Sequence, residues 1–251
     1  MKNIAVVFGG GSGARMGTGI PKQFIEVNGK SIFIHTLEIF DDSNDIDAIY
    51  ISCREDYINL LKRQIRKFGL TKVAKIVPGG KTGQDSILNA LKAIEEDEED
   101  AIVLIHDCVR PMITAELIKE NIDSVKKYGS AITCTPMFET PIISNDGVHI
   151  DDAPLRSLYY TAQAPQCFYL KEVLKAHEIT REKNPGYAGI VDTCTLMKSV
   201  GKEVSIVKGP RGNIKVTTPE DLYIFRALVN YRESEQIFGF SNKEVDKNLK
   251  K

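Results

Sequence analysis

The sequence predicts an α/β fold, a mainly parallel sheet covered by helices. Two observations carry this. Residues 4–8 and 101–105 are short runs that are apolar throughout, the pattern of strands buried on both faces. Between the candidate strands lie stretches whose apolar residues recur at helical spacing, and repeated β-α alternation makes parallel pairing with crossover helices. The amount of apolar material agrees: 42% hydrophobic residues over a 251-residue chain is enough for one full core.

The elements follow in order. After the strand at 4–8, residues 31–40 read as a helix and 48–53 as a second strand. Tyr57, Leu60, Leu61, Ile65 and Phe68 form a helical stripe, with Gly69 as its C-cap. Residues 73–77 are a third strand. Ile87, Leu88, Leu91 and Ile94 mark a helix that ends in the acidic run 95–100, and 101–105 is the fourth strand. A helix at 115–128 and a strand at 131–135 come next. Residues 141–153 differ: Asn145-Asp146-Gly147 between β-prone flanks is a hairpin signal. Helices at 170–177 and 193–200 and strands at 204–207 and 214–217 complete the pattern. Thr218 suits the N-cap of a last long helix, Pro219 its first position and Asp221 the capping box. No linker divides the chain, so 1–235 reads as one domain and 236–251 as a polar, frayed tail.

Charge and cysteines narrow the function. With 33 basic and 34 acidic residues the net charge is −1, which gives no footprint for nucleic acid or an anionic membrane. Any anionic ligand is held by local charge. Cys53, Cys108, Cys134, Cys167 and Cys194 are odd in number and form no C-x-x-C pair, which fits reduced thiols in a cytoplasm. The apolar run after Met1 is too short for a signal sequence or a membrane span.

Open parallel sheets bind ligands beyond the carboxyl ends of their strands, so the loops after Phe8, Val77, Ile105, Thr135 and Thr217 are the ones to inspect. The first is FGGGSGARM, residues 8–16. Gly9, Gly11 and Ala14 satisfy G-x-G-x-x-A, a dinucleotide fingerprint, but Gly17, Gly19 and Pro21 break the helix that should follow. Gly80-Lys81-Thr82 has a Walker A ending, but Lys75 stands where that loop needs glycine. The remaining possibilities are a plain surface loop and an extended loop, 9–23, whose glycine amides, Arg15 and Lys22 grip a polyphosphate.

GGGSGARMG followed by PKQF resembles the opening of the cytidylyltransferases that make CDP-activated polyols. GGKTGQDSI (79–87), HDCVRP (106–111), the Thr140 region, APLRSLYYTAQAPQCF (153–168), the segment ending DTCTLM and GNIKVTTPEDL (212–222) resemble that family's motifs in the family's order, over about residues 3–230. The resemblance implies a three-layer α/β/α nucleotidyltransferase fold with a protruding β-arm at about 138–156. It implies attack by a polyol phosphate on the α-phosphorus of CTP, with Mg²⁺ accompanying the nucleotide and pyrophosphate leaving.

It also assigns roles. Phe8, Gly9, Gly10, Gly11, Gly79, Gly80, Asp85 and Ser86 would enclose the cytidine; the Ser86 hydroxyl bonds the base or caps the following helix. Arg15, Lys22 and Lys215 would stabilise the charged transition state, whereas on its own Lys215 reads as a solvated strand-end lysine. Asp107 would bond an acceptor hydroxyl or help place Mg²⁺, or else pair structurally with Arg110, and both would touch the acceptor. His106 reads as a buried, satisfied imidazole. Thr140 and Arg156 would contact the acceptor from the base of an arm that reaches across a homodimer, or the arm would only dimerise. The family usually has Arg where this chain has Gly83. The motif details lie nearer the ribitol 5-phosphate branch than the methylerythritol 4-phosphate branch. An NAD(P)-dependent oxidoreductase and a catalytically idle nucleotide-binding protein are the readings from other classes.

Overall fold

The computed structural model describes residues 1–9 and 20–238 of the chain; Gly10, Gly11, Arg15 and the end of the polar tail lie outside them. Seven strands form the main sheet, in the order β5-β4-β1-β6-β8-β7-β9. They are β1 (Lys2–Gly9), β4 (Ala48–Cys53), β5 (Val73–Pro78), β6 (Ala101–Asp107), β7 (Ser130–Pro136), β8 (Tyr160–Tyr169) and β9 (Ile206–Lys208). The short pair β2 (Glu26–Val27) and β3 (Lys30–Ser31) makes a separate hairpin around Asn28-Gly29, both at positive φ. Every strand of the main sheet is parallel to its neighbours except β8, which runs antiparallel between β6 and β7.

Alternation along the central strands sorts the core into two layers. In β1, Ala5 and Val7 face one side and Ile4 and Val6 the other. The first side is covered by α1 (Ile32–Asp42), α2 (Ile58–Phe68), α4 (Ala115–Tyr128) and α7 (Pro219–Phe238). The second is covered by α3 (Gly83–Asp97), α5 (Leu170–Lys183) and α6 (Thr193–Ser199). Phe33, Phe40, Phe168 and Phe225 are fully buried, and truncating one such ring costs about 3–5 kcal/mol.

Local signals behave as the sequence predicts at several ends. Gly69 caps α2 at φ +68°. Ser31 is the N-cap of α1 rather than its first residue. Asp221 accepts from the Thr217 and Thr218 amides at 2.8 and 2.9 Å, so the first turn of α7 is closed as expected.

Three expectations need correction. Residues 214–217 are not a strand. Both edges of β6 are taken by β1 and β8, and this segment joins the loop beyond β6 through one bond, Val216 N–H to the Val109 carbonyl (2.9 Å). The strand expected at 204–207 is shifted to β9. The hairpin expected at 141–153 keeps its turn, with Gly147 at φ +73°, but its flanks meet in a single bridge, Ile143 to Asp152. Two strands with nothing packed on them are too weak to build a ladder. Residue-by-residue alternation also missed β8. Its pairing with β7 is irregular between Ile132 and Cys134, opposite residues 163–165, and there Pro165 needs no amide hydrogen.

Candidate active site

The site lies at the topological switch point, where β1 is followed on one side by β4 and on the other by β6. Strand ends supply the fixed parts. Gly9 ends β1 against Cys108: a Cβ at position 9 would lie 2.5 Å from Cys108 Sγ, so only glycine permits this approach. Gln23 Nε2 donates to the Gly9 carbonyl (3.2 Å) and joins the two ends of the stretch 9–23. Lys22 begins a single 3₁₀ turn, Lys22–Phe24, directly after Pro21.

The second glycine loop is tied from three directions. Gly79 N–H donates to the Cys53 carbonyl (2.8 Å). Ser86 Oγ accepts from Gly80 N–H (3.0 Å) and donates to the Thr82 carbonyl (2.9 Å). Thr82 and Asp85 form a reciprocal capping box at the start of α3. A Cβ on Gly80 would lie 2.2 Å from that of Asp85. Asp85 and Ser86 are thus committed to the shape of the loop, and the amino end of α3, positive by its peptide dipoles, opens at Gly83.

Asp107 is the electrostatic centre. Its Oδ1 is 2.6 Å from Lys215 Nζ and its Oδ2 is 3.0 Å from Arg110 Nε. Arg110 also donates to the Asn213 carbonyl (2.9 Å). Burial pushes the Asp107 carboxyl up, but the charges of Lys215 and Arg110 outweigh it and hold the group below its usual value. His106 donates from Nε2 to the Arg110 carbonyl (3.0 Å), while its Nδ1 is buried without a partner, so the imidazole is only half satisfied. Burial lowers it to about 4 and keeps it neutral. Burial likewise raises the Cys108 thiol, which rules it out as a ready nucleophile.

Two cavities meet here. One, of about 300 Å³, is lined by Phe8, Gly9, Lys22, Gly80, Asp107 and Lys215 among others. The other, of about 380 Å³, lies between the start of α3, the irregular part of β8 and the segment before α6. Phe8, Gly83, Asp107 and Lys215 border both. Lys22 and Lys215, far apart in sequence, therefore line one cavity; Arg15 lies outside the described residues. Thr140 and Arg156 are elsewhere. Both are exposed, and Arg156 donates to the Phe138 carbonyl (2.8 Å) beside a shallow depression of its own. Sequence reasoning did not single out Gln84, Gln163, Gln166, Asp192 or Thr193, which line the second cavity; the N-cap pattern at Asp192 was the available signal.

Among the described residues no cluster of three acidic, histidine or cysteine side chains is arranged to hold a metal. Both oxygens of Asp107 are engaged by cations, so the donor set does not fit a resident metal site. A metal here would come with a polyphosphate.

The fold agrees with what comparison of the whole chain shows. The profile of the 2-C-methyl-D-erythritol 4-phosphate cytidylyltransferase (IspD) family matches residues 3–231. The chain belongs to this family. A ribitol-5-phosphate cytidylyltransferase of Streptococcus agalactiae serotype V is 46% identical over 241 residues, 95% of this chain and 100% of that one. A 2-C-methyl-D-erythritol 4-phosphate cytidylyltransferase of Clostridium botulinum is 38% identical over 223 residues, 89% of this chain and 95% of the relative. The crystal structure of 4-diphosphocytidyl-2C-methyl-D-erythritol synthase from Anaerococcus prevotii superposes with a TM-score of 0.77 at 29% identity, covering 91% of this chain and 96% of that one. The α/β fold expected from alternation is the fold of this family.

Proposed function

We propose that the chain is a cytidylyltransferase that converts CTP and D-ribitol 5-phosphate, or a related alditol phosphate, to a CDP-alditol and pyrophosphate. The observation that carries it is Lys22 and Lys215 lining one cavity with Gly9 and Gly80. The acceptor's phosphate oxygen, already ionised, attacks the α-phosphorus; the bond to the β-phosphate bridging oxygen breaks and pyrophosphate leaves with Mg²⁺. No side-chain nucleophile or base is required, and the protein's part is in-line positioning and neutralisation of charge. Lys22 and Arg15 act on the departing pyrophosphate, Lys215 on the α-phosphate, and Asp107 and Arg110 hold Lys215 and the acceptor in place. Phe8, Gly79 and Gly80 give the pyrimidine a narrow seat whose shape Asp85 and Ser86 maintain.

The higher identity to the ribitol 5-phosphate enzyme favours that acceptor. The methyl-branched acceptor of the isoprenoid enzymes is the second reading, favoured by the family profile itself. The arm at 138–156 exposes Ile142, Val148, Ile150 and Leu155, with exposed Leu158 just beyond it, apolar surface that suits a homodimer in which Thr140 and Arg156 reach the partner's acceptor. All five cysteines are free, which supports a reducing, cytoplasmic setting. Pyrophosphate release from CTP, tested in parallel with ribitol 5-phosphate, methylerythritol 4-phosphate and hexitol phosphates, decides the matter. Turnover with CTP far above ATP or GTP is expected. No release with any acceptor, or NADH binding in fluorescence titration, would overturn the proposal.

A further inference from the structure

Lys215 borders both cavities, yet the chain that carries it is irregular. Residues 209–218, between β9 and α7, form neither helix nor strand. A lysine is a point charge on a flexible four-carbon stem. It stabilises a transition state only if it is held in place beforehand. Contacts that fix the backbone under Lys215 therefore bear on its chemistry.

Two of these contacts lie toward the loop after β6. The Asn213 carbonyl accepts from Arg110 Nη1 (2.9 Å), and Val216 N–H donates to the Val109 carbonyl (2.9 Å). They bracket Lys215 along the chain, but both lead to the same short loop. A third contact leads the other way, to β8. The Asn213 side chain is fully buried, and its Nδ2 donates to the Ala164 carbonyl (2.7 Å) and to Gln163 Oε1 (3.2 Å). The two hydrogens of one amide nitrogen serve the two acceptors. Among the described residues, no other hydrogen bond joins 210–217 to β8. The entry to the segment is fixed separately, on β7. Gly209 N–H donates to the Cys134 carbonyl (2.8 Å), and a Cβ at 209 would lie 2.5 Å from Thr133 Cγ2. The backbone of Asn213 is thus held from the β6 side and its side chain from the β8 side, two residues before Lys215.

We propose that Asn213 is a positioning residue for Lys215, which sets the height of the lysine over the end of β6 by tying its segment to β8. The proposal rests on the cytidylyl-transfer function proposed above. Without the amide, the segment keeps its tie to the loop after β6 and loses the second point that fixes its distance from β8. A misplacement of about 1 Å in a charge-stabilising group can cost about 10²-fold in rate.

The test is a double-mutant cycle on pyrophosphate release from CTP, with whichever acceptor the wild type turns over fastest. It measures kcat and KM for the wild type, Asn213→Ala, Lys215→Ala and the double variant, each shown to be folded at the assay temperature by circular dichroism. Asn213→Ala should lower kcat about 10- to 100-fold. In the Lys215→Ala background the same change should lower kcat less than about twofold, because no lysine is left to misplace. A merely structural role would cut turnover in both backgrounds. If Asn213→Ala does not fold, Asn213→Ser, which keeps a donor of shorter reach, decides by the same cycle. Losses that multiply, or a kcat of Asn213→Ala within about twofold of the wild type, overturn the proposal while leaving cytidylyl transfer intact. A wild type that releases no pyrophosphate with any acceptor overturns the functional proposal, and this one with it.

Discussion

Lys215 Nζ lies 2.6 Å from Asp107 Oδ1, and that contact holds the lysine of a late segment over the carboxyl end of β6. Two consequences separate chemistry from stability. Lys215→Ala should lower turnover about 10²–10³-fold, because a preorganised cation at the transition state is lost. Its melting temperature should hardly change, since the side chain is 42% exposed and its ion pair is partly solvated. Asp107→Ala should cost about 2–4 kcal/mol of stability as well as activity, because it strands the Arg110 guanidinium, which is only 11% exposed. Steady-state kinetics and urea denaturation of the two variants check this; the reverse pattern would show that Lys215 is structural.

The glycines at 9 and 80 are required for different contacts. Gly80→Ala drives a Cβ into Asp85 and should break the loop, raising KM for CTP about tenfold or more and destabilising by about 1–3 kcal/mol. Gly9→Ala meets a sulfur instead, so Gly9→Ala combined with Cys108→Ala should recover about 1 kcal/mol relative to the sum of the single changes. Thermal or urea unfolding of the four proteins measures the coupling, and strict additivity would show that the sulfur is not the obstacle.

Buried imidazoles make the stability fall in mild acid. Burial holds His106 and His177 at about 4 and lowers His35 as well. The unfolded chain protonates them near 6.5, so it takes up protons that the native state refuses. Their stabilising contribution is complete above about pH 6.5 and is lost as pH falls toward 4, by about 1.4 kcal/mol per pH unit for each fully protonating group. Asp107 and Asp221, both held below the usual carboxyl value, keep their contribution down to lower pH. Urea midpoints between pH 4.5 and 7.5 should show this slope, and His177→Gln should reduce it by about one proton. A flat profile would contradict it.

The arm should be an interface. Leu155→Glu places a charge on a side chain that is 68% exposed in the single chain, so it should fold normally. It should convert a dimer to a monomer in light scattering and depress activity by removing Thr140 and Arg156 from the neighbouring site. A monomeric wild type with full activity would rule this out.

Much of the fold was legible because its signals are local. The apolar runs of β1 and β6, the glycine cap at Gly69 and the Thr218/Asp221 box each depend on a few neighbouring residues. What was not legible depends on distant partners. Strand β8 carries Pro165, Gln163 and Gln166, which read against a central strand until the irregular pairing with β7 is seen. Residues 214–217 have β propensity but lie beside β6, whose two edges are already taken by β1 and β8. The Asn28-Gly29 turn was a missed local signal, since both residues adopt the positive φ that this pair favours. At the site, the glycine loop after β1 pointed to Gly9 and Lys22, whereas Gly80 and Lys215 were singled out through the family resemblance, since a lone strand-end lysine reads as solvated. Gln84 and Thr193, which line the second cavity, gave no such sign.

A crystal structure of the protein with CTP and Mg²⁺ tests the central claim most directly. The triphosphate should occupy the cavity between the glycine loops, with Lys22 Nζ and Lys215 Nζ both within hydrogen-bond distance of its oxygens and the base seated against Gly79 and Gly80. A nucleotide bound with either lysine turned away from its phosphates, or bound outside that cavity, would contradict the account.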